Sequence, residues 1–459
     1  MNNTREKLNS LGVEIPSILL PKTECSERDT DLQKWAVIAC DQFTQDRDYW
    51  AKVKAAAEGA PSTLNMIFPE VFLPDGNAEQ RISDIHSTMK QYMQEGVFAE
   101  PKQGFIYIER DTPYYKKRRG LVVAIDLEQY DWKPVARPLI RSTEGTVEDR
   151  LPPRMDIRRG APLELPHVLL LIDDDDADSL LSVLGERVKN NNPVYNTQLM
   201  MDNGSVSGWF VDSETDMSFI ADKLEGLCRR SSTRYAKPSA PFLFAVGDGN
   251  HSLATAKGIW EEYKAAHYKK TVNTDSKLPV HPCRYALVEI ENIYDPAIQF
   301  EPIHRLVLDM GFDKTMSLLS RLPDFSSRTV NSAEEISALV GSFNETRRIA
   351  NCFGVISEGR YALVETSASG IATACLQPLL DDVRPALEID YIHDDAELLR
   401  LAAPDSLGRK TAGILLPPVS KAGLFQTVAR LGPLPRKSFS MGHSCEKRFY
   451  LECRSLELF

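Results

Sequence analysis

The segment Gly247-Asp248-Gly249-Asn250-His251-Ser252 has the side chains and spacing best suited to chemistry in this chain. A continuous apolar run, Pro241 to Val246, precedes it, and apolar residues at helical spacing follow it, so we expect a strand that turns into a helix. Its two glycines can adopt positive φ and let a ligand approach the backbone. The free N–H groups at the start of the helix favour a bound anion. The aspartate could hold a metal ion or accept a proton, and the histidine could act as acid, base or phosphate donor.

Two other interpretations of this segment remain open. In the first, Asp248 and Asn250 only cap the helix, and His251 is a hydrogen-bonded neighbour without a chemical role. In the second, the segment resembles the two metal-binding motifs of calcineurin-like phosphoesterases. In that family the motifs lie on separate strand–helix turns, whereas here they share one turn, which cannot supply a two-metal site. A metal-dependent phosphoesterase is therefore a minor alternative.

A second polar region, residues 134 to 160, contains six arginines together with Glu144, Glu148, Asp149 and Asp156. Several prolines interrupt it, so we expect loops and short helices. These side chains could form no more than surface ion pairs, but the arginines could also clamp an anion.

Five segments, in order along the chain, resemble elements of the domain of unknown function 1015 (DUF1015) family. The turn at Asp248 resembles the signature Ala-Asp-Gly-His-His-Arg of that family. The other four segments are Trp35 to Asp41, Arg141 to Arg150 (with the sequences Arg-Ser-Thr-Glu and Glu-Asp-Arg), Pro302 to Val307, and Leu434 to Ser438. The similarity covers most of the chain. The sequence departs from the signature at Asn250, where the family has the first histidine, and at Ser252, where it has an arginine.

The resemblance implies a nucleotide or phosphate site, because the family motif in turn resembles that of the ParB/sulfiredoxin superfamily, which includes free-serine kinases and CTP-binding switches. It implies Glu144 as a general base beside Asp248 and His251. The residues that it implies in ligand or anion binding are Arg141, Arg150, Gly247, Gly249, Asn250, His304, Arg305, Lys437 and Ser438. We expect these elements to converge in one cleft.

The order of predicted helices and strands along the sequence indicates a mixed α/β (α+β) fold, with mixed sheets, flanking helices and two to three lobes. A ParB/sulfiredoxin-like element would surround the Asp248 turn. We expect an N-terminal lobe at residues 1–133, a central lobe at 134–310 and a C-terminal lobe at 311–459. Disorder is not expected, except at the extreme N-terminus, where it stays open.

Composition limits the classes of function. The 459 residues carry a net charge of −11, which argues against binding to DNA or RNA, since that requires a surplus of Lys and Arg. The first ten residues lack the pattern of a signal peptide, and no apolar run approaches the roughly 18 residues of a membrane span. We therefore expect a soluble cytoplasmic protein with a small-molecule or nucleotide ligand and no nucleic-acid or membrane partner. Its oligomeric state stays open.

Three functions are in question. The first is a phosphotransferase that acts on a small metabolite and uses a nucleotide. Whether it needs Mg²⁺ as a cofactor stays open, and any metal ligands are unknown. The second is a non-catalytic regulatory module that responds to a nucleotide. The third is the phosphoesterase named above. The chain has no G-x-x-x-x-G-K-[ST] phosphate loop, so the turn at residues 247–252 would have to bind the phosphate.

Overall fold

The computed structural model describes residues 2–23, 30–133, 135–235, 240–267, 280–343, 349–383, 387–404 and 406–457. Its α-helices, in chain order, are α1 Asn2–Ser10, α2 Leu32–Trp35, α3 Arg47–Ala57, α4 Ala78–Gln94, α5 Leu151–Arg158, α6 Leu180–Val188, α7 Glu214–Arg234, α8 Asn250–His267, α9 Phe312–Leu319, α10 Ala333–Gly341, α11 Ala372–Val383, α12 Asp395–Ala402 and α13 Lys421–Leu431.

The strands alternate with these helices along most of the chain, which confirms the mixed α/β class. They are β1 Val13–Glu14, β2 Ser17–Ile18, β3 Val37–Ile38, β4 Lys102–Gln103, β5 Phe105–Asp111, β6 Arg118–Asp126, β7 Tyr130–Asp131, β8 Ile140–Ser142, β9 Leu163–Glu164, β10 Leu169–Ile172, β11 Tyr195–Gln198, β12 Ser205–Val211, β13 Phe244–Asp248, β14 Tyr285–Asn292, β15 Phe300–Pro302, β16 His304–Leu308, β17 Ser326–Val330, β18 Asn351–Ser357, β19 Arg360–Thr366, β20 Ile389–Ile392, β21 Thr411–Leu415, β22 Phe439–Met441, β23 Phe449–Tyr450 and β24 Arg454–Ser455.

The chain forms two compact units. Unit 1 comprises Met1–Ile298 and His443–Phe459, and unit 2 comprises Gln299–Gly442. These units group residues that lie close together in space. The division of the sequence into three consecutive lobes, 1–133, 134–310 and 311–459, stays a prediction. Within the described residues, no helix is long and apolar enough to cross a bilayer.

Unit 1 is built on a large mixed sheet with the strand order β11-β12-β5-β6-β14-β10-β13-β8-β7, and β1 also pairs with β6. The strands β8 and β13 are parallel neighbours, whereas β10 is antiparallel to β13 and parallel to β14. Phe244, Ala245 and Val246 in β13 are fully buried, as expected for an apolar run covered on both faces of the sheet.

Helices α5 and α8 run side by side in the same direction on unit 1. Near their starts, the N–H of Val147 donates to His251; further along, the Met155 side chain packs against Gly258; beyond the end of α5, Arg159 pairs with Glu262. A Cβ at position 258 would lie 3.0 Å from the Met155 thioether, so a larger residue there would require that flexible side chain to shift. The two helices therefore begin at the same edge of the sheet.

Asn2–Ser10 forms helix α1, although the sequence left disorder open at the extreme N-terminus. In α1, Leu8 is fully buried and Lys7 pairs with Asp222 and Glu225 of α7, each at less than 3 Å. The core residues around Leu8 and the acidic residues of α7 are distant from α1 in the sequence. The polar composition of residues 1 to 10 therefore does not reveal what stabilises this helix.

Unit 2 contains a second sheet with the strand order β17-β19-β18-β21-β16-β20, and a separate antiparallel pair, β15 with β22. Two apolar clusters cover the faces of the sheet. One includes Phe353, Leu376 and Ile414; the other includes Ile336, Leu398 and Leu415. Helices α9 and α11 belong to the first face and α10 and α12 to the second.

Candidate functional site

The polar turn at Asp248 lies at an edge of the unit 1 sheet where several segments meet. Because β8 and β13 are parallel and paired, with Val246 opposite Ser142, the residues that follow both strands lie at the same edge. The antiparallel strand β10 starts at this edge, with Leu169 opposite Asp248. The structure thus brings the stretch after Arg141 next to the turn at Asp248.

The turn itself requires one of its two glycines to adopt an unusual backbone. Gly249 has φ +79°, and a Cβ there would lie 3.1 Å from the Cα of Val168. Gly247 is instead a strand residue of β13 and does not have positive φ. The N–H of Gly249 donates to Oδ1 of Asp248 at 3.0 Å, while the N–H groups of Asn250 to Ser252 precede the first intrahelical bond, from Leu253 to the carbonyl of Gly249.

Thr143 and Asn250 connect the two strand ends. The hydroxyl of Thr143 donates to the carbonyl of Val246 at 2.6 Å and accepts from the Asn250 amide Nδ2 at 3.4 Å. The hydroxyl proton is used on the carbonyl, so this contact fixes which end of the amide is nitrogen. The amide oxygen of Asn250 is buried and has no hydrogen-bond partner among the described residues. A buried acceptor of this kind is unfavourable unless a ligand donates to it.

Lys447 brings a positive charge to the turn. Its ammonium lies 3.2 Å from Oδ2 of Asp248, and the two side chains are 10% and 24% exposed. Two arginines of the sheet, Arg110 on β5 and Arg118 on β6, fix the segment before Lys447: they donate to the carbonyls of Cys445 at 2.8 Å and of Glu446 at 2.7 and 3.1 Å. The C-terminal segment of the chain is thereby positioned to present Lys447.

His251 and Glu144 lie on the two segments that meet at the turn. The Nε2 of His251 accepts a hydrogen bond from the N–H of Val147 at 3.3 Å, so the neutral ring carries its proton on Nδ1. Glu144 directly follows Thr143 and is half-buried. Both residues therefore lie close to Asn250, Glu144 in the loop that joins β8 to α5 and His251 in the first turn of α8.

A further polar cluster lies beside the turn, around His167. The hydroxyl of Tyr450 accepts from the N–H of Cys40 at 3.2 Å and bonds to Nδ1 of His167 at 2.8 Å. The opposite nitrogen, Nε2, lies 3.9 Å from Oδ2 of Asp41. In the tautomer in which the Tyr450 hydroxyl donates to Nδ1, the neutral His167 carries its own proton on Nε2, facing Asp41.

An ion pair of unit 1 joins helix α5 to this cluster. Arg154 pairs with Glu70, whose N–H donates to the carbonyl of Cys40 at 2.8 Å. Burial raises the pKa of the Glu70 carboxyl above its ordinary value, and the Arg154 guanidinium opposes that shift.

The two arginines predicted to clamp an anion in unit 1 lie in different surroundings. Arg141 is buried, and its guanidinium donates to the carbonyls of Pro138, Ala240 and Pro241, which precede the strands, and stacks on Phe242. Burial lowers the pKa of Arg141 to about 10. All of these partners lie at the strand ends opposite the turn.

Arg150, in contrast, is exposed just before α5, on the side of the turn. Within the described part of the chain, its guanidinium has no ion-pair partner. It is therefore accessible to an anion that enters at the start of α5 and α8.

In unit 2, His304 and Arg305 are buried and bonded to protein groups. Nδ1 of His304 accepts from the N–H of Leu416 at 3.1 Å, and Nε2 bonds to Oδ1 of Asp395 at 2.6 Å. This bond lowers the pKa of the Asp395 carboxyl below its ordinary value. Arg305 is fully buried; its Nε donates to Gln377 at 3.0 Å, and it stacks on Tyr391.

Lys437 and Ser438 occupy a turn of unit 2 between α13 and β22. Lys437 is exposed and has φ +58°, whereas Ser438 is fully buried, with its hydroxyl donating to the carbonyl of Pro435 at 2.5 Å. Ser438 also lines a cavity of unit 2. Whether the predicted residues of unit 2 act together with those of unit 1 stays a prediction.

Metal binding finds no support in the described ranges. No three His, Cys, Asp or Glu side chains there are grouped so that they could hold a metal ion. The acidic run Asp173 to Asp176 is instead paired with Arg230 and Arg234 of α7. The phosphoesterase alternative therefore has no observation in its favour.

Sequence reasoning missed Lys447, Thr143 and His167 as components of this site. Thr143 stood within a recognised segment, but nothing local distinguished it from its neighbours. Lys447 and His167 have no motif of their own, and only pairing between distant strands brings them to the turn. Asp41 stood at the end of a segment that resembled the family, which was the one available signal.

A family model described as Protein of unknown function (DUF1015) matches residues 20–383. No curated protein matches the chain. Among solved structures, a conserved hypothetical protein from Pyrococcus furiosus is similar, with 12% identity, a TM-score of 0.34, and coverage of 73% of this chain and 95% of that chain. A free serine kinase in complex with AMP has 11% identity, a TM-score of 0.36, and coverage of 75% and 95%. SbnI with C-terminal truncation from Staphylococcus aureus has 10% identity, a TM-score of 0.33, and coverage of 72% and 87%. These three likenesses assign no activity, and the ParB/sulfiredoxin-like element stays a prediction.

Proposed function

The chain belongs to the DUF1015 family, and we propose that it binds a nucleotide or a phosphorylated small metabolite at the Asp248 edge of unit 1 and transfers a phosphoryl group to a small metabolite. The proposal rests chiefly on one observation, the buried amide oxygen of Asn250, which has no partner among the described residues. A ligand hydroxyl or amine that donates to this oxygen would remove an unfavourable buried acceptor. The nucleophile of a phosphoryl transfer is such a hydroxyl.

The anion would be bound by backbone and cation together. The N–H groups of Asn250 to Ser252 start helix α8, and its dipole favours negative charge at this end. The resemblance to the family places an arginine where this chain has Ser252. Lys447, 3.2 Å from Asp248, supplies a cation at the same turn. Arg150, exposed at the start of α5, adds a second one.

The transfer would proceed by direct attack. The hydroxyl oxygen of the acceptor forms a bond to the phosphorus, the bond from phosphorus to the bridging oxygen of the donor nucleotide breaks, and the donor leaves with that electron pair. Glu144 or Asp248 accepts the proton of the hydroxyl. Mg²⁺, if the reaction needs it, would arrive with the nucleotide.

A non-catalytic module that responds to a nucleotide is the second candidate, and one contact favours it. His251 uses its Nε2 to accept the N–H of Val147, so a transfer of a proton or phosphate at that nitrogen requires this bond to break. In a regulatory module, a ligand at the turn would instead move the loop that carries Val147.

The binding test compares matched variants of the full chain. Nucleotide mono-, di- and triphosphates, with and without Mg²⁺, are screened by thermal shift, and any hit is measured by calorimetry. Asn250→Ala and Lys447→Met should each weaken binding about 10- to 100-fold, since each removes a polar contact to a charged or hydrogen-bonding ligand. The controls Asn331→Ala and Lys410→Met change exposed residues of unit 2 and should leave affinity unchanged. Absence of any nucleotide binding, or equal affinity in all variants, would refute the proposal.

Turnover separates the two candidates. Incubation with labelled nucleotide and a panel of hydroxylated metabolites should give a phosphorylated product, and Glu144→Gln or Asp248→Asn should abolish product while binding persists. Nucleotide binding without product across the panel would instead support the regulatory module.

A further inference from the structure

A cavity of about 470 Å³ lies within unit 2, at the start of helices α11 and α13. Its wall includes residues 369–373, which comprise the loop before α11 and the first two residues of that helix, and the loop before α13, residues 416–420. Both helices exceed two turns, and the first N–H groups of a helix have no intrahelical acceptor; in α13 the Ser420 side chain already accepts from one of them, the N–H of Gly423. The volume falls within the range of small-molecule sites, roughly 300 to 1,000 Å³.

Internal hydrogen bonds fix the position of this wall. The amide of buried Asn351 donates to the carbonyls of Ala368 at 2.7 Å and Gly370 at 2.8 Å. The N–H of Ile371 donates to the hydroxyl of Thr427 at 3.3 Å, which ties the start of α11 to helix α13. Gly370 has φ +100°, a conformation that only glycine adopts readily. The two helix starts are therefore held next to each other before any ligand binds.

The charge around the cavity is one-sided. None of the described residues that line it is an aspartate or a glutamate, whereas Arg430 is among them. Arg430 is exposed and has no ion-pair partner among the described residues. Together with the two helix dipoles, it makes the cavity electropositive.

Thr373, in the first turn of α11, independently indicates a ligand. It lines the cavity and is 3% exposed, yet its hydroxyl has no hydrogen-bond partner among the described residues. A comparable buried threonine of unit 2, Thr315, donates to the carbonyl of Gly311 at 2.9 Å. A hydroxyl that can donate to an oxyanion is suited to the start of a helix, where such anions bind.

We propose that this cavity is a second ligand site, which binds the phosphate group of a small organic phosphate through the starts of α11 and α13, the Thr373 hydroxyl and Arg430. A tetrahedral oxyanion accepts hydrogen bonds from several directions, which matches donors that converge from two helices, whereas a planar carboxylate accepts mainly in its own plane. Leu416, Ile371 and Val419 line the rest of the cavity and provide apolar contact for the organic part of the ligand.

The test uses the full chain carrying Lys447→Met, which removes a proposed cation of the other site, and titrates it calorimetrically with inorganic phosphate, glycerol phosphate and acetate. We expect glycerol phosphate to bind more tightly than phosphate, and acetate to bind weakest. Thr373→Val should weaken phosphate binding about 10- to 100-fold through loss of a charge-assisted hydrogen bond. Arg430→Gln should weaken it less and reduce its dependence on salt.

Matched controls separate binding from folding. Thr315→Val breaks a hydrogen bond that is already made, so it should lower the melting temperature and leave phosphate affinity unchanged. Thr373→Val should leave the melting temperature of the unliganded protein unchanged or raise it. Arg328→Gln, at an exposed arginine outside the cavity, should have no effect on binding.

Two outcomes would overturn the inference. One is phosphate affinity that does not differ between Thr373→Val and its parent; the other is the absence of measurable phosphate binding in the Lys447→Met background. Neither result bears on nucleotide binding at the Asp248 turn. Conversely, loss of phosphate binding in Thr373→Val alone supports this site even if no nucleotide binds in unit 1.

Discussion

Arg448→Met removes a cation that neutralises two carboxylates in the interior of unit 1. The Nε of Arg448 lies 2.8 Å from Oε2 of Glu289, and a terminal nitrogen lies 2.8 Å from Oε2 of Glu452. These three side chains are 3%, 6% and 0% exposed. The remaining terminal nitrogen donates to the carbonyl of Pro166 at 2.8 Å, next to His167. This arginine therefore joins the C-terminal segment to the edge of the sheet.

The size of the effect follows from burial. Methionine fills a similar volume but leaves both carboxylates without a counter-charge, and breaking a buried pair in this way costs about 3 to 5 kcal/mol. That is roughly two to three and a half powers of ten in the ratio of folded to unfolded protein. Urea unfolding at neutral pH, followed by tryptophan fluorescence, measures the change.

The matched control is Arg400→Met. Arg400 also forms two hydrogen bonds with a carboxylate, that of Glu397, but these side chains are 63% and 45% exposed. An exposed pair contributes only about 0 to 1 kcal/mol. Adding Glu289→Gln and Glu452→Gln to Arg448→Met should restore much of the stability, because none of these three buried charges then remains. If Arg448→Met costs no more than Arg400→Met, the argument from burial is wrong.

Two more predictions concern the turn at Asp248 and another buried carboxylate, that of Glu291. Gly249→Ala should destabilise the fold by about 1 to 3 kcal/mol more than Gly160→Ala. Both glycines have positive φ, but only at position 249 would a Cβ lie 3.1 Å from Val168. Equal losses of stability in urea unfolding would contradict this. Burial raises the pKa of Glu291 to about 8, although Arg118 opposes the shift. A raised carboxyl pKa means that stability falls as pH rises from about 4.5 to about 8, so Glu291→Gln should gain stability over the natural protein across that window; a constant difference between pH 5 and pH 8.5 would refute it.

The local elements of this fold are largely visible in the sequence. Helix α13 begins at Lys421 and ends at Leu431, as its apolar spacing predicts. The turn signal Asp202-Asn203-Gly204 joins β11 and β12, as expected of a hairpin. The segment from Trp35 to Cys40, in contrast, forms a strand over only two residues, because helix α2 ends at Trp35 and β23 pairs only with Val37 and Ile38.

The candidate site is visible only in part. Its family elements could be found in the sequence because they keep their residue types and order. The direction of the Arg141 side chain, away from the turn, could not be predicted from the sequence. Strand alternation and the neighbouring carbonyls of Ala240 and Pro241 decide where this long side chain points. The burial of His304 and Arg305 could not be predicted either, because it depends on pairing with β20 and β21.

The sequence by itself determined the turn at Asp248: an apolar run, a glycine that must adopt positive φ, and a helix start are properties of neighbouring residues. Only the tertiary structure decided what surrounds that turn. Parallel pairing of β8 with β13 places Thr143 beside Asn250, and the C-terminal segment, held by Arg110 and Arg118, places Lys447 beside Asp248. The physical reason is that strand pairing and buried charge depend on residues far apart in the chain, whose proximity no local pattern records.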